Sequence, residues 1–209
     1  RDYFYNDKFY KKMIKKKKDP RIAKEYKKIL KYKKLIKFVY QNKPLGTGDA
    51  VLKTKKYIKS DYFLMLLPDD LIIKNNCSKS MINIHNRFKS SIMASMKVNK
   101  KNVSRWGIFK LGKKIDNRNH LIDDVVEKPS VRLAPSNRAV IGRYILPKSI
   151  FLKLSKQKPS KGGEIHITDA IQSLIREKNK FIAHNFSGKY LDCGSMQGYI
   201  NSTLEISKS

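Results

Sequence analysis

Short apolar runs alternate along most of this chain with stretches whose apolar positions recur at helical spacing. The runs "YFLMLLP", "SIMASMKV" and "RAVIGRYIL" predict buried strands, and "RWGIFKL" and "HLIDDVVEK" predict strand pieces around a polar turn. "FIAHNFSGKYLDCG" predicts strand and turn. "SKSMINIHNRFKS" and "EIHITDAIQSLIREK" predict helices, and "PLGTGDAVLKTKKYIKS" a glycine turn that opens one. Such alternation predicts an α/β fold with a mixed, mostly parallel sheet flanked by helices. With no internal repeat and no low-complexity linker beyond its lysine runs, the chain is expected to form one domain over residues 1–209.

Residues 1–38 have a different texture. Phe9, Met13 and Ile14, and later Ile29, Leu30 and Leu35, fall at helical spacing among lysines, and Asp19-Pro20 punctuates the run. Two basic amphipathic helices are expected there, leading into a short strand at "IKFVY".

Composition sharpens this picture in three ways. At 40% hydrophobic residues the chain is too apolar for a disordered basic tail, yet no apolar run is long enough to span a bilayer. The two cysteines, Cys77 and Cys193, lie far apart and match no metal-ligand spacing, which favours a reducing, cytoplasmic setting. The formal charge of +30 invites a nucleic-acid reading, but the base is the wrong kind: 47 Lys and Arg include only nine Arg. Lysine enriched together with Asn and Ile matches mutational drift in an AT-rich genome. A nucleic-acid-binding module therefore stands as the alternative from another class, and the basic helices read as solvated faces rather than membrane-binding ones.

Against that basic background, acids at strand ends stand out. Asp69 and Asp70 follow the run ending at Pro68, and ligands of open α/β sheets bind beyond the carboxyl ends of strands. A carboxylate there suits Mg²⁺, which favours one or two carboxylates plus substrate phosphates; equally, both acids can open a solvated loop or cap the next helix. Asp192 holds a similar position in "GKYLDCGS", and two acids from separate strands around one metal make a phosphoryl-transfer arrangement. Glu127 and Lys128, stopped by Pro129, suit sugar hydroxyls and a phosphate, or else form a surface ion pair. Gln41 precedes a glycine turn where the close backbone approach at Gly46, with helix N–H groups behind it, suits a nucleotide.

In order, "FVYQNKPLGTGDAVL", "LLPDDLI", "VSRWGIF", "VVEKP", "APSNRAVIGRYIL", "GGEIHITDAIQSL" and "GKYLDCGSMQGYI" resemble the bacterial UTP–glucose-1-phosphate uridylyltransferases, or UDP-glucose pyrophosphorylases. The resemblance runs from about Phe38 to the C-terminus and implies a Rossmann-like nucleotidyltransferase fold. It implies UTP and glucose 1-phosphate as substrates, UDP-glucose and pyrophosphate as products, Mg²⁺ as cofactor and a homo-oligomeric state. By the same resemblance Gln41 and Gly46 hold the uracil, Asp69 and Asp192 face the metal, and Asp69 and Lys128 are the catalytic pair, with Lys128 on the phosphate. Gly107 presents backbone to the glucose, Glu127 binds its hydroxyls, and Val140 lines the sugar pocket. Asp70 is expected to act from behind Asp69, and Glu164, Thr168 and Asp169 are explained as well by helix capping as by contact. A sibling enzyme using dTTP or another sugar phosphate is the nearest alternative.

The chain departs from the family at Asp49, where His is usual, and at Trp106, where Tyr is usual. It also contains no G-x-G-T-R loop, the family's triphosphate clamp. The expectation is a chain lacking the first strand and that loop, with little transferase activity by itself.

Overall fold

The computed structural model describes residues 8–160 and 162–208, and its contacts cluster into two units that divide after Tyr40. In the first unit, helix α1 (Lys8–Lys17) is followed by α2 (Pro20–Lys33). Asp19 caps α2 by accepting the Arg21 N–H at 2.8 Å, and Pro20 takes the first helical position, where its missing N–H costs nothing. The Tyr10 and Tyr26 rings stack with centroids 5.8 Å apart. Both predicted basic helices are present, although residues 1–7 of that segment lie outside the described residues. "IKFVY" forms no strand: it alternates correctly but pairs with no strand among the described residues.

The second unit holds α3 (Gly46–Lys53), β1 (Tyr62–Leu66), β2 (Asp70–Ile73), α4 (Cys77–Phe88), β3 (Ser91–Lys97), β4 (Ile108–Lys114) and β5 (Asn119–Val126). It continues through β6 (Arg138–Pro147), α5 (Ile150–Lys156), α6 (Ile167–Arg176), β7 (Phe181–Asn185), β8 (Lys189–Asp192) and α7 (Met196–Ser207). Six strands form the main sheet in the order β1-β6-β3-β7-β5-β4, and β2 pairs with β8 in a separate two-stranded sheet.

The class is α/β as expected, but pairing in the main sheet is mostly antiparallel. Among the described residues only β3 and β7 pair in parallel. Strands β1, β3, β7 and β4 do share one direction, and β6 and β5, running the other way, are interleaved among them. The long strand β6 lies between β1 and β3 and also meets Ile108 of β4 at Ala139.

Helices cover both faces, which is why the central strands read as unbroken apolar runs. Met93, Tyr144, Leu146 and Phe181 pack with Phe151 and Leu154 of α5 and Ile171 and Leu174 of α6. On the opposite face Ile92, Ala94, Ile141, Ile145 and Ile182 pack with Cys77 and Met81 of α4. Burial pushes the Cys77 thiol up to about 11, so it serves as a small apolar side chain. No helix among the described residues is long and apolar enough to cross a membrane.

Asp70 ties the two-stranded sheet to the main one. Asp70 turns its carboxylate onto β6, where Oδ2 accepts the Gly142 N–H at 2.6 Å, while Oδ1 accepts the Tyr190 hydroxyl of β8. Gly142 leaves no room for a side chain: a Cβ there would lie 2.5 Å from both Asp70 Oδ2 and Leu67 Cβ. Gly142→Ala is therefore expected to lose about 1–3 kcal/mol in urea unfolding. A loss under about 0.5 kcal/mol, within the ordinary scatter of surface substitutions, would refute the tight fit.

A second polar chain crosses the sheet. Asn119 donates from Nδ2 to both Asp116 oxygens, at 2.8 and 2.9 Å, so its Oδ1 faces His184 and accepts the Nδ1–H at 2.9 Å. His184 Nε2 is buried without a partner among the described residues, and burial holds the His184 pKa below its ordinary value. A depressed histidine contributes stability above the unfolded pKa, about 6.5, and loses it as pH falls through the folded one. Stability should fall between pH 7 and 5 by up to about 1.4 kcal/mol per pH unit more than in His184→Asn. Equal pH slopes in urea titrations of the two proteins would contradict this.

Candidate active site

The acids after β1 take different places in the backbone. Asp70 opens β2 and turns its carboxylate onto β6, whereas Asp69 lies in the turn before it. Asp70 sits opposite Asp192 in the β2–β8 ladder, and the Asp69 carbonyl accepts the Cys193 N–H at 2.7 Å. Burial pushes the Asp70 pKa up, and the Tyr190 and Gly142 donors oppose that shift. Asp70 neither caps α4, which Asn76 does, nor opens a solvated loop; it is spent on holding the two sheets.

Asp69 and Asp192 converge on Gly194. A Cβ at Gly194 would lie 2.9 Å from Asp69 Oδ2 and 3.3 Å from Asp192 Oδ1, so a side chain would fill the cradle between the carboxylates. Asp192 is held in place: Oδ1 accepts the Gly194 N–H at 3.0 Å, and Oδ2 pairs with Arg105 at 2.8 Å. The Arg105 guanidinium in turn lies over the Trp106 ring, 4.7 Å from its centroid. No group of three or more His, Cys, Asp or Glu side chains gathers among the described residues. Two carboxylates converging on one glycine fit Mg²⁺, whose remaining ligands come from water and phosphate, and do not fit an all-protein metal cage.

A second cluster forms around β6. Val140 donates its N–H to the Gly107 carbonyl at 2.8 Å, and a Cβ at Gly107 would stand 3.2 Å from Val140 Cγ2 and 3.3 Å from Glu127 Oε2. Glu127 Oε2 accepts the Thr168 hydroxyl at 2.7 Å, so Glu127 is oriented from α6 and forms no ion pair with Lys128. Lys128 adopts a left-handed backbone with φ 42°, a conformation that costs a non-glycine residue about 1–2 kcal/mol and here redirects the chain after β5. Its N–H donates to the Trp106 carbonyl at 3.1 Å, and no ion pair holds its ammonium among the described residues.

The third cluster is the glycine turn. Gln41 Nε2 donates to the Gly46 carbonyl at 3.1 Å and to Asp49 Oδ2 at 2.9 Å. Gly46 has φ +90°, and a Cβ there would sit 2.8 Å from the Ile165 carbonyl, so glycine is required twice over. Asp49 is buried, with Lys53 3.3 Å from its Oδ1.

Short segments join the clusters. Ile165 receives the Gly48 N–H at 2.7 Å and donates to the Leu45 carbonyl at 2.8 Å. Three residues on, Thr168 reaches Glu127, so "EIHIT" links the glycine turn to the Glu127 carboxylate. Arg105, Trp106 and Gly107 likewise run from Asp192 to Glu127. Thus the structure brings Asp69 to Asp192, Gly107 to Glu127 and Val140, and Gln41 to Gly46, with Lys128 beside Glu127. A cleft of about 520 Å³ lined by Arg105, Trp106, Tyr190, Asp192 and residues of α7 touches this region but includes neither Asp69 nor Glu127.

Sequence reasoning missed Arg105, Tyr190 and Gly142, whose partners lie 87, 120 and 72 residues away. Thr168 was visible in "GGEIHITDAI", but it is no cap: His166 holds the cap position of α6, with no side-chain capping bond. Asp169 instead accepts Gln157 Nε2 at 3.2 Å, and Glu164 lies 3.8 Å from His166, so neither meets the carboxylate clusters.

Comparison with known proteins identifies the chain's relatives. The chain is 37% identical over 161 residues to UTP–glucose-1-phosphate uridylyltransferase of Pseudomonas aeruginosa, covering 76% of this chain and 57% of that enzyme. It is 36% identical over 173 residues to UTP–glucose-1-phosphate uridylyltransferase 2 of Streptococcus pyogenes serotype M3, covering 80% and 58%. The chain thus spans less than two thirds of the length of these curated relatives. Among solved structures, UDP-glucose pyrophosphorylase complexed with UDP-glucose superposes with TM-score 0.78 at 36% identity, over 88% of this chain and 73% of that one. The UTP-bound enzyme from Acinetobacter baumannii gives TM-score 0.71 at 30% identity, over 88% and 66%. With the nucleotidyl transferase family profile matching residues 4–209, the chain belongs to the nucleotidyl transferase family.

Proposed function

We propose that this chain carries the sugar-nucleotide and metal-binding part of a UTP–glucose-1-phosphate uridylyltransferase. The observation that carries the proposal is the convergence of the Asp69 and Asp192 oxygens beside Gly194, joined through Arg105–Gly107 to the Glu127 carboxylate.

In the proposed reaction a phosphate oxygen of glucose 1-phosphate attacks the α-phosphorus of UTP in line. A new P–O bond forms as the bond to the bridging oxygen breaks, and pyrophosphate leaves with the electron pair. Magnesium, when bound, supplies charge neutralisation on the phosphates. Asp69 and Asp192 would hold that ion, with Arg105 fixing the Asp192 rotamer. Glu127, oriented by Thr168, accepts hydrogen bonds from glucose hydroxyls, and Gly107 and Val140 shape the wall against the sugar. Lys128, whose left-handed backbone turns it out of the strand, neutralises the sugar phosphate. Gln41 and the Gly46 turn take the uracil. Catalysis on this scheme is positioning and electrostatics, with no covalent intermediate.

Calorimetry separates the parts. Glu127→Gln should weaken UDP-glucose by about tenfold while changing UMP by less than about twofold, because only the former presents a sugar to that carboxylate. Equal losses for both ligands would remove Glu127 from the sugar. Mg²⁺ should strengthen UTP binding by about tenfold or more in the unsubstituted chain and by less than about threefold in Asp192→Asn. An undiminished magnesium effect in that variant would refute the assigned ion site.

A further inference from the structure

The Gln41 side chain is fixed more completely than its position at the end of a loop requires. Its Nε2 has two partners, the Gly46 carbonyl at 3.1 Å and Asp49 Oδ2 at 2.9 Å. A carbonyl and a carboxylate only accept hydrogen bonds, so the amide NH₂ must face them and the amide orientation is decided by chemistry. Oε1 takes no partner among the described residues. Asp49 is itself anchored: it is 4% exposed, sits in the first turn of α3, and has the Lys53 ammonium 3.3 Å from its other oxygen.

We propose that Asp49 is a positioning residue for base specificity, which locks the Gln41 amide so that an acceptor, and never a donor, is presented to the nucleotide base. This rests on the reading of Gln41 as the base contact. Uracil and thymine carry an N3–H that donates to such an acceptor. Cytosine carries a bare N3 lone pair, which meets Oε1 as acceptor against acceptor. A free amide would rotate to offer its NH₂ and accommodate either ring. A charged partner holds the NH₂ more strongly than the neutral Gly46 carbonyl alone, so removing the charge loosens the lock without deleting the contact. Thymine shares the N3–H and is not discriminated by this device, so choice between UTP and dTTP must come from elsewhere.

The test is competition between sugar nucleotides for the full chain, with Mg²⁺ present. UDP-glucose should bind at least about tenfold more tightly than CDP-glucose, the cost of one mismatched buried polar contact. In Asp49→Asn, whose amide accepts or donates, that ratio should fall about fivefold, while the ratio of UDP-glucose to dTDP-glucose stays within about twofold. An unchanged uridine-to-cytidine ratio in a folded variant overturns the proposal, and so does a parallel loss of affinity for all three ligands, which a merely structural role would give. Absence of any uridine nucleotide binding by the unsubstituted chain overturns the functional reading beneath it as well. Should Asp49→Asn fail to fold, the unsubstituted chain still answers by NMR. The Gln41 side-chain amide protons, assigned by their loss in Gln41→Ala, should be hydrogen-bonded in the free protein and move little on adding UDP-glucose. A large shift of those protons would place the NH₂, not the oxygen, against the base and overturn the proposal.

Discussion

The Asp70 carboxylate bridges two sheets that share no strand. One oxygen takes a backbone N–H from the middle of β6, the other the Tyr190 hydroxyl from β8. Removing either donor would leave a half-buried carboxylate short of a partner, which costs about 1–3 kcal/mol or more for a charged group. The bridge has geometric consequences: it fixes the β2–β8 ladder, in which Asp70 stands opposite Asp192, and Asp69, in the turn just before β2, then meets Asp192 at Gly194. Glycine is required on both sides of this arrangement: a Cβ at Gly142 would strike Asp70 from behind the bridge, and a Cβ at Gly194 would crowd Asp69 in front of it.

A second constraint runs through residues 165–168. Backbone bonds from Gly48 to Ile165 and from Ile165 to Leu45 fasten the glycine turn, and the Thr168 hydroxyl then orients Glu127. The Gln41–Gly46 turn and the Glu127 carboxylate are therefore placed by one short stretch of chain at the start of α6. Local strain falls in the same region: Lys128 is left-handed beside Glu127, as is common for backbone held by its surroundings at functional sites.

Much of the fold was legible because apolar runs and helical spacing depend on neighbours in sequence. "YFLML", "SIMASMK" and "RAVIGRYILP" became β1, β3 and β6 with small changes at their ends. What a strand's own residues do not encode is its partner. The run in β6 has the composition of a buried parallel strand yet lies antiparallel between β1 and β3, and "IKFVY" has a strand's alternation but no paired edge. The same limit applied at the site. Asp69 and Asp70 look alike in "PDD", and only contacts to Gly142 and Tyr190, 72 and 120 residues away, make one of them a tether. Thr168 reads equally as a helix cap or as a contact in "GGEIHITDAI", because its partner Glu127 lies 41 residues earlier in the chain. Gln41 and Gly46 were easier to pair, since their contact closes over five residues.

The most direct measurement is a crystal structure of the chain with UDP-glucose and Mg²⁺. An ion is expected about 2.0–2.2 Å from oxygens of both Asp69 and Asp192, beside Gly194. Glucose hydroxyls are expected within about 3 Å of Glu127, with Asp70 still bonded to Gly142 and Tyr190. Density for the nucleotide in the cleft along α7, or an ion held by Asp70 in place of Asp69, would contradict this arrangement.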